Sequence, residues 1–434
     1  MLKAQTKASD INVSRTLDVL KLAFDDYGPR NFAFRLWDDT IWPQTEGQPR
    51  LFTISLNHAA ALRRMFLPLT ERRLAEAYIY GDFDIDGNIM CALPVARQIG
   101  ETWRWIRSLR LLSQLLRLPS QVPSSGARQA ALTGYRHSRS RDKQAIQHHY
   151  DVSNDFYKLW LDDEMVYSCA YFINANNDIN SAQKQKLDYI CRKLRLQSGE
   201  RILDIGCGWG ALLIHAAKHY GVQATGITLS QKQYDLARKR IEQAGLQDRC
   251  HVMLVDYREV DENQPFDKIV SIGMVEHVGR EKLSTYFEKA YRLLKPGGVF
   301  LNHGITIRKE HFFPLNSGKD SFFQQYIFPD GDLQPISYIL STAEGALFEV
   351  RDVENLREHY AKTLTRWAQR FEAKQNEITK LVGDAGYRQW RLYLIAARWL
   401  FENGSHEIHQ SLLYKQDDTS TQHDLPLTRS DWYQ

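Results

Sequence analysis

The residues with the clearest potential for chemistry form a glycine-rich run from Asp204 to Gly210, with glycine at every second position from Gly206 onward. A short apolar run ends at Ile205, and a helical pattern follows the glycines. Glycine lets the backbone turn tightly and lets a ligand approach the main chain closely. The sequence therefore predicts a cofactor pocket where a strand meets a helix, with Asp204, Gly206 and Gly208 at its base.

The spacing of these glycines differs from the GxGxxG of dinucleotide-binding folds and, with Asp204 ahead of it, resembles the Asp-x-Gly-x-Gly pattern of S-adenosylmethionine enzymes. After the second predicted strand, where such folds often place an acidic residue for the ribose, the chain offers Thr228 and Gln233. We expect their hydroxyl and amide groups to bind the ribose. After the third strand, Asp256 and Tyr257 are expected to meet the adenine, although Tyr257 could instead be a buried core aromatic.

Length and composition limit the class of protein. A chain of 434 residues is long enough for two or three domains. Hydrophobic residues make up 43% and charged residues 25%, which is typical of globular proteins. We find no run of eighteen apolar residues and no apolar segment near Met1, so we expect neither a spanning helix nor a secretory signal, and a cytoplasmic location. The five cysteines form no CxxC pair and show no zinc spacing, so no metal site is expected.

From about residue 147 onward, predicted strands and helices alternate, which indicates an α/β fold with a parallel sheet covered on both faces. The predicted strands are 201–205, 223–227, 251–255, 268–272, 299–303 and 348–353, and 411–415 could supply a final edge strand. We place domain boundaries at 1–100 for a small α/β domain, 101–143 for a basic amphipathic helix and linker, 144–416 for the catalytic domain, and 417–434 for a polar, loosely held tail.

The segment between Thr102 and Arg141 contains eight arginines and neither aspartate nor glutamate. Helical spacing places four apolar residues on one face of it: Trp105, Leu109, Leu112 and Leu116. Such a helix could lie at the surface of an anionic membrane. The alternative is a linker helix that docks on the catalytic domain.

Several further motifs occur in order along the chain. They are His149-Tyr150-Asp151, Asn154 to Tyr157, Tyr167 to Tyr171, Thr228-Leu229-Ser230, Gly273 to Gly279, Phe300 to His303, and Tyr360 with Thr363-Leu364. Together with Asp204 to Gly210 they resemble the family of cyclopropane-fatty-acid and mycolic-acid cyclopropane synthases over nearly the whole chain. Glu76 to Ile79 and Gly81-Asp82 also look like the extra N-terminal domain of the bacterial phospholipid enzymes.

The resemblance implies a Rossmann-like class I S-adenosylmethionine-dependent methyltransferase with a seven-stranded, mostly parallel sheet. It implies transfer of a methylene group from S-adenosylmethionine to the cis double bond of an unsaturated acyl chain in a membrane phospholipid. The cofactor contacts implied are Tyr167, Ser168 and Gly206. A bicarbonate ion would act as the base, held by Cys169, Glu276, His303, the main chain of Ile305 and Tyr360. The partners implied are phospholipids at the inner face of the membrane and a second copy of the chain, with no nucleic acid.

This chemistry explains the residue types. Attack by an alkene on a sulfonium methyl leaves a carbocation, so the pocket should be dry and lined with aromatic rings. Glu276 would repel a bound anion unless it is protonated, or unless it orients His303 and accepts a hydrogen bond from the bicarbonate hydroxyl, which is the role we favour. Cys169 could alternatively be a small buried hydrophobe. The ring candidates are Tyr171, Phe172, Phe322, Phe323 and Tyr326.

Other interpretations remain open. A related lipid C-methyltransferase would give a methyl-branched or methylene product from the same cation, and a non-catalytic lipid-binding relative would keep the fold alone. A nucleic-acid methyltransferase is a distant alternative, because Met274 to His277 replaces the (Asp/Asn)-Pro-Pro-aromatic motif of amine methylation. His406 and His409 have HxxH spacing but no evident third ligand, so we predict a surface helix or turn there.

Overall fold

The computed structural model describes residues 10–25, 27–102, 108–120, 141–142, 144, 153–308, 321–417 and 425–433. They divide into two compact units. The first comprises the described parts of Met1–Gln129, Phe312–Tyr326 and Val382–Trp399, and the second comprises the rest. The sequence-based boundaries run unbroken from 144 to 416, whereas the first unit takes in two later segments. Hydrogen bonds hold them there, because Tyr326 donates to Glu76 and Arg388 donates to the carbonyl oxygen of Phe83.

The first unit is a small α/β fold. Its sheet has the order β2-β1-β3-β4, in which β1 (Phe32–Arg35) and β3 (Phe52–Leu56) are parallel and β2 (Ile41–Trp42) and β4 (Phe83–Gly87) are antiparallel to their neighbours. Stacked rings of Phe32 and Phe52 lie in the core. The helices are Ile11–Ala23, Ala61–Phe66, Glu71–Ile79, Ala92–Thr102 and Ser108–Leu116.

The helix Ser108–Leu116 belongs to the basic segment, and its buried face differs from the face that the sequence indicates. Leu111 and Leu115 pack into the core of the first unit, whereas Leu109 is 81% exposed and Leu116 is 51% exposed. The segment therefore has apolar side chains on both faces. Arg104, Trp105 and Arg107 lie outside the described residues, as does His149-Tyr150-Asp151. Among the described helices, none combines the length and apolarity needed to cross a membrane.

The second unit contains a seven-stranded sheet of order β10-β11-β9-β8-β5-β6-β7. Strands β5 (Arg201–Ile205), β6 (Gln223–Thr228), β7 (Cys250–Leu254), β8 (Phe266–Ile272) and β9 (Leu294–Ile307) pair with one another in parallel. Strand β11 (His406–Tyr414) is antiparallel to both of its neighbours, β9 and β10 (Glu349–Asn355). This confirms the predicted fold class. The helices are Asn154–Lys158, Ile179–Lys193, Ala211–Tyr220, Gln231–Gln243, Val275–Val278, Leu283–Leu293, Ile336–Gly345 and Arg357–Ala373. The helix Gln375–Glu402 is kinked at Gly383, and its residues Val382–Trp399 belong to the first unit.

Strand β11 corrects two predictions. The predicted edge strand 411–415 is in fact an interior strand that begins at His406 and pairs with β9 on one side and β10 on the other. The prediction was wrong because the polar residues before Ser411 hid the strand's first half. His406 and His409 are therefore not on a surface helix or turn. His409 is buried, and its Nδ1 lies 2.9 Å from the Thr306 hydroxyl. No cluster of metal ligands occurs within the described ranges.

The end of the chain is held more firmly than its composition predicts. In the described part of the tail, residues 425–433, the Trp432 side chain is 3% exposed and its ring centroid lies 5.1 Å from the Lys193 ammonium. Asp431 pairs with Arg195 at 2.7 Å. The prediction of a loose tail was wrong for these residues because a single tryptophan buries enough apolar area to anchor a short polar segment.

We predict that Trp432→Ala lowers the free energy of unfolding of the second unit by about 3 kcal/mol, because it opens a cavity in a packed region. Urea denaturation followed by circular dichroism measures this change. Leu427→Ala, a fully exposed position in the same segment, should change it by less than about 0.5 kcal/mol. Equal effects of the two variants would contradict an anchoring role for Trp432.

Candidate active site

A cavity opens at the carboxyl ends of β5, β6 and β8, where parallel strands place their following loops together. Counted with its opening, it has a volume of about 1000 Å³, which suits a small-molecule ligand. The segment around Tyr167 and the segments that follow β5, β6, β7 and β8 line it, and the predicted cofactor residues among them are Tyr167, Ser168, Asp204, Gly206, Gly208, Thr228, Gln233 and Tyr257.

The glycine-rich loop forms the base of this cavity. Gly206 has a φ of 86° and Gly208 has a φ of 54°, backbone conformations that residues other than glycine rarely adopt. Gly226 on β6 packs against the loop, and a Cβ there would lie 2.7 Å from Cβ of Cys207. Glycine is therefore required both for the turn and for the close packing of the strand behind it.

The two predicted ribose contacts, Thr228 and Gln233, line the cavity, whereas the predicted adenine contact Asp256 does not. The Thr228 hydroxyl donates to Oε1 of Gln233 at 2.8 Å, so both side chains are held together at the cavity wall. Asp256 does not line this cavity. Its carboxylate accepts hydrogen bonds from the Arg258 guanidinium at 2.6 and 2.7 Å, and it borders a smaller neighbouring pocket instead. The sequence pattern gave no sign that Arg258 pairs with this carboxylate. The predicted adenine contact through the Asp256 side chain is therefore not supported.

Tyr167 belongs to an aromatic wall. Its ring centroid lies 5.4 Å from that of Trp160 and 5.3 Å from that of Trp367, and the Tyr360 ring packs edge-on against Trp367 and Phe401. Of the ring candidates that the sequence indicated, Tyr171 stacks on Tyr189 and His359, and three others lie in the first unit: Phe322, Phe323 and Tyr326. The wall that connects Tyr167 with Tyr360 is therefore built mainly from tryptophans.

A buried lysine adjoins the cavity. Lys186 donates a hydrogen bond from Nζ to the Ser168 hydroxyl at 3.0 Å. Burial lowers the pKa of Lys186 to about 8, against the opposing effect of Asp162, Cys169 and Asp204. Burial likewise raises the pKa of Asp204 to about 7, opposed by Lys186. The two groups stabilise each other's charged forms inside a region without water.

The five residues that resemble a bicarbonate site are all buried or nearly so. Glu276 accepts a hydrogen bond from the main-chain N–H of Ile305 at 2.7 Å through Oε1. The Cys169 thiol donates to the carbonyl oxygens of Ala170 and Leu356, the latter at the start of the helix that carries Tyr360. Lys186 acts electrostatically on both Cys169 and His303. In this structure the Ile305 N–H holds Glu276.

Two polar atoms of this cluster are buried without a hydrogen-bond partner among the described residues: Oε2 of Glu276 and Nε2 of His303. Leaving such atoms unsatisfied costs about 1 to 3 kcal/mol each, so both atoms are candidates for contact with a ligand. Burial raises the pKa of Glu276 to about 7 and lowers the pKa of His303 well below its usual range. The imidazole is therefore neutral, and Glu276 is partly protonated near neutral pH.

The favoured role of Glu276 as the group that orients His303 is not what the structure shows. Nδ1 of His303 accepts a hydrogen bond from the Gln410 side chain at 3.0 Å, and Glu276 is held by Ile305 instead. The physical reason is the register of the sheet, since His303 on β9 lies directly opposite Gln410 on β11.

Sequence reasoning missed Lys186, Lys193 and Gln410. One signal was present for the lysines, because both fall on the apolar stripe of the helix Ile179–Lys193, where an unpartnered charge would be costly. Gln410 gave no signal, since its strand was not recognised and its partners lie more than a hundred positions away.

A mostly parallel seven-stranded sheet of this order, with a glycine loop after β5 and a cavity above it, defines a Rossmann-like S-adenosylmethionine-dependent methyltransferase. The model of the mycolic acid cyclopropane synthetase family matches residues 137–411. A protein of Pseudomonas putida described as a probable fatty acid methyltransferase is 38% identical over 399 residues, 92% of this chain and 95% of that protein. The cyclopropane-fatty-acyl-phospholipid synthase of Escherichia coli (strain K12) is 38% identical over 305 residues, 69% of this chain and 76% of that one.

Among solved structures, the mycolic acid cyclopropane synthase CmaA1 complexed with SAH and CTAB is similar with a TM-score of 0.59 and 34% identity, over 62% of this chain and 97% of that one. The chain therefore belongs to the mycolic acid cyclopropane synthetase family. It is an S-adenosylmethionine-dependent methyltransferase, as its sequence motifs predict.

The buried state of Glu276 predicts a pH effect on stability. Its pKa is about 7 when folded and about 4.5 otherwise, so between these values the folded protein binds more protons and the free energy of unfolding falls as pH rises. Glu276→Gln removes this contribution. We expect the loss of stability between about pH 5 and about pH 8, measured by urea denaturation, to be smaller in Glu276→Gln than in the wild type.

The matched control is Glu344→Gln, an exposed position in the same unit, which should keep the wild-type pH dependence. If the free energy of unfolding of Glu276→Gln fell with pH as steeply as that of the wild type, the Glu276 carboxyl would not be desolvated.

Proposed function

We propose that this enzyme transfers a methylene group from S-adenosylmethionine to the cis double bond of an unsaturated acyl chain in a membrane phospholipid, and that bicarbonate is the base. The observation that carries the proposal is the pair of buried, unpartnered polar atoms on Glu276 and His303. Glu276 lies two residues after the cavity-lining Met274, and the main-chain N–H of the cavity-lining Gly273 donates to the carbonyl oxygen of His303 at 2.9 Å, so both residues adjoin the cofactor cavity.

The residues of the cavity suit the cofactor. Gly206 and Gly208 leave the main chain open to a ligand, the linked Thr228 and Gln233 offer polar groups for hydroxyls, and Tyr257 offers an apolar ring face. S-adenosylmethionine supplies the electrophilic methyl group. The enzyme's part in this step is to hold the alkene at attack distance and to exclude water.

The cluster around His303 suits a small anion. Neutral His303 can donate from Nε2, partly protonated Glu276 can donate from its carboxyl group, and the Tyr360 hydroxyl is a further donor. The buried ammonium groups of Lys186 and Lys193 act on His303, so the local field favours negative charge. An anion there would satisfy atoms that are otherwise left without a partner.

The aromatic wall suits the cationic intermediate. When the alkene carbon bonds to the incoming methyl, positive charge develops on the neighbouring carbon. The Tyr167 ring lines the cavity and can stabilise such a charge, and the buried rings of Trp160 and Trp367 that pack against it help to keep water out. Removal of a proton from the new methyl group then closes the ring, and the proton passes to the bicarbonate.

The description of one relative favours a second product. The Pseudomonas putida relative that matches 92% of this chain is described as a probable fatty acid methyltransferase. The same cation gives a methyl-branched or methylene product when a different proton is lost. The two functions differ in product and share every step before the cation.

Access to acyl chains requires contact with a membrane surface, and the first unit offers a candidate. Leu109 and Leu116 are exposed, and the exposed Arg110 and Arg117 directly follow them. Exposed leucines beside guanidinium groups suit the boundary of an anionic bilayer. We therefore place the enzyme in the cytoplasm, peripherally bound to the inner face of the membrane. A homodimer remains an expectation from the family resemblance.

The product can be determined directly. Purified enzyme incubated with S-adenosylmethionine, bicarbonate and vesicles of a cis-unsaturated phospholipid should yield acyl chains with cyclopropane protons in proton NMR spectra. His303→Gln and Glu276→Gln should lower turnover by about 100-fold or more, as loss of acid–base machinery does, with S-adenosylhomocysteine affinity within about threefold of wild type.

His215→Gln serves as the control, since His215 lies on the helix Ala211–Tyr220 and outside the cavity lining. Methyl-branched or methylene chains in place of cyclopropane protons would establish the second function. Full turnover by His303→Gln would remove the proposed base site.

Membrane contact is testable by vesicle flotation with phosphatidylglycerol-containing liposomes. Replacing Leu109 and Leu116 together by serine should reduce the bound fraction about tenfold, because two apolar side chains no longer leave water on binding. Leu381→Ser with Leu427→Ser, two exposed leucines of the second unit, should leave binding unchanged. Undiminished flotation of the Leu109 and Leu116 variant would exclude this surface.

A further inference from the structure

A chain of three fully buried side chains leads from a lysine to His303. Nζ of Lys193 donates to Oε1 of Gln410 at 3.0 Å, and Nε2 of Gln410 lies 3.0 Å from Nδ1 of His303. All three residues have no exposed surface. The three residues come from the helix Ile179–Lys193, from β11 and from β9.

The direction of each hydrogen bond in this chain is fixed by chemistry. An ammonium group can only donate, so the Gln410 atom that faces Lys193 must be the carbonyl oxygen. The amide nitrogen of Gln410 then faces His303 and donates, so Nδ1 must be the accepting nitrogen. A neutral imidazole carries one proton, which must therefore reside on Nε2.

Lys193 is itself held in place. Its ammonium group contacts Glu354 at 2.8 Å and Asp352 at 3.6 Å, and it lies 5.1 Å from the centroid of the Trp432 ring. These partners offset the cost of burying a charge. They also keep the ammonium directed at Gln410, so the amide cannot rotate by a half-turn without setting its NH₂ group against a cation.

We propose that Lys193 and Gln410 are positioning residues that hold His303 as the Nε2–H tautomer, so that it presents a hydrogen-bond donor to the anionic base. The role of the donor rests on the proposed function, whereas the tautomer itself is a property of the protein alone. A donor at Nε2 attracts an anion, and the opposite tautomer would present a lone pair that repels it. The nitrogen concerned has no partner among the described residues.

The sharpest test is Gln410→Glu, which keeps the size of the side chain and gives Lys193 a carboxylate to pair with. A carboxylate can only accept, so Nδ1 of His303 must then carry a proton. The nearby ammonium groups of Lys186 and Lys193 oppose a positive charge on the His303 ring, so Nε2 should lose its proton when Nδ1 gains one. Ring ¹⁵N chemical shifts of labelled histidine, with His303→Gln to assign the signals among 14 histidines, distinguish these forms.

We expect wild-type Nδ1 to show the shift of an unprotonated nitrogen and that of Gln410→Glu to show a protonated one. Lys193→Met should give a mixture of tautomers, because the amide of Gln410 is no longer fixed. Gln389→Glu, a buried glutamine of the first unit whose amide donates to a carbonyl oxygen, is the control for a buried carboxylate and should leave the His303 signals unchanged. A protonated Nδ1 in the wild type, or an unprotonated Nδ1 in Gln410→Glu, overturns the proposal.

The effect on the reaction is measured separately. At about pH 8 the Gln410→Glu variant should lose about tenfold to 100-fold in turnover, the size of effect seen when a partner that orients a ligand is lost, and its KM for bicarbonate should rise. S-adenosylhomocysteine affinity should stay within about threefold. Swapped tautomers with unchanged turnover would overturn the positioning role. If the wild type showed the expected ¹⁵N shifts of His303 but formed no lipid product, the proposed function would be refuted and the tautomer would stand.

Discussion

Exclusion of water from the carboxyl edge of the sheet is the constraint on which the second unit depends. Asp204, Glu276 and His303 are ionisable, yet each is buried to the point that its neutral form is favoured. Such groups are tolerated only where neighbours or a ligand supply hydrogen bonds. The main-chain N–H of Ile305 bonds to Glu276 and the side chain of Gln410 bonds to His303, which supplies part of this requirement. Oδ1 of Asp204, Oε2 of Glu276 and Nε2 of His303 have no hydrogen-bond partner among the described residues.

The antiparallel strand β11 is what allows this arrangement. It lies between β9 and β10 and is antiparallel to both. Its register sets Gln410 opposite His303 and Ser411 opposite Asn302. Polar side chains in the middle of a buried strand would be destabilising alone. Here Gln410 bonds to His303 and to Lys193, and His409 lies 2.9 Å from the Thr306 hydroxyl, so these two polar residues are stabilised by partners that are distant in sequence.

The sequence predicted those features that depend on residues close to one another in the chain. The turn at Gly206 and Gly208 follows from local backbone conformation, and the parallel strands follow from short apolar runs, so both were predictable. Asp256 shows the limit, because its carboxylate is taken by Arg258, which no periodicity indicates. The β11 strand was predicted only in its apolar half, and its polar half contains the residue that orients His303.

The balance of charge around His303 explains how an acidic residue can belong to an anion site. With its pKa near 7, Glu276 can give up its own negative charge at little cost when an anion arrives, and its proton becomes a hydrogen-bond donor. The buried ammonium groups of Lys186 and Lys193 remain, and both act electrostatically on His303, so they favour negative charge beside it. Under the proposed function, the position of the base would decide the product, since a base can take a proton only from a carbon that lies beside it. A cation whose new methyl group faced His303 would close to a ring, and one whose chain carbons faced it would give an alkene instead.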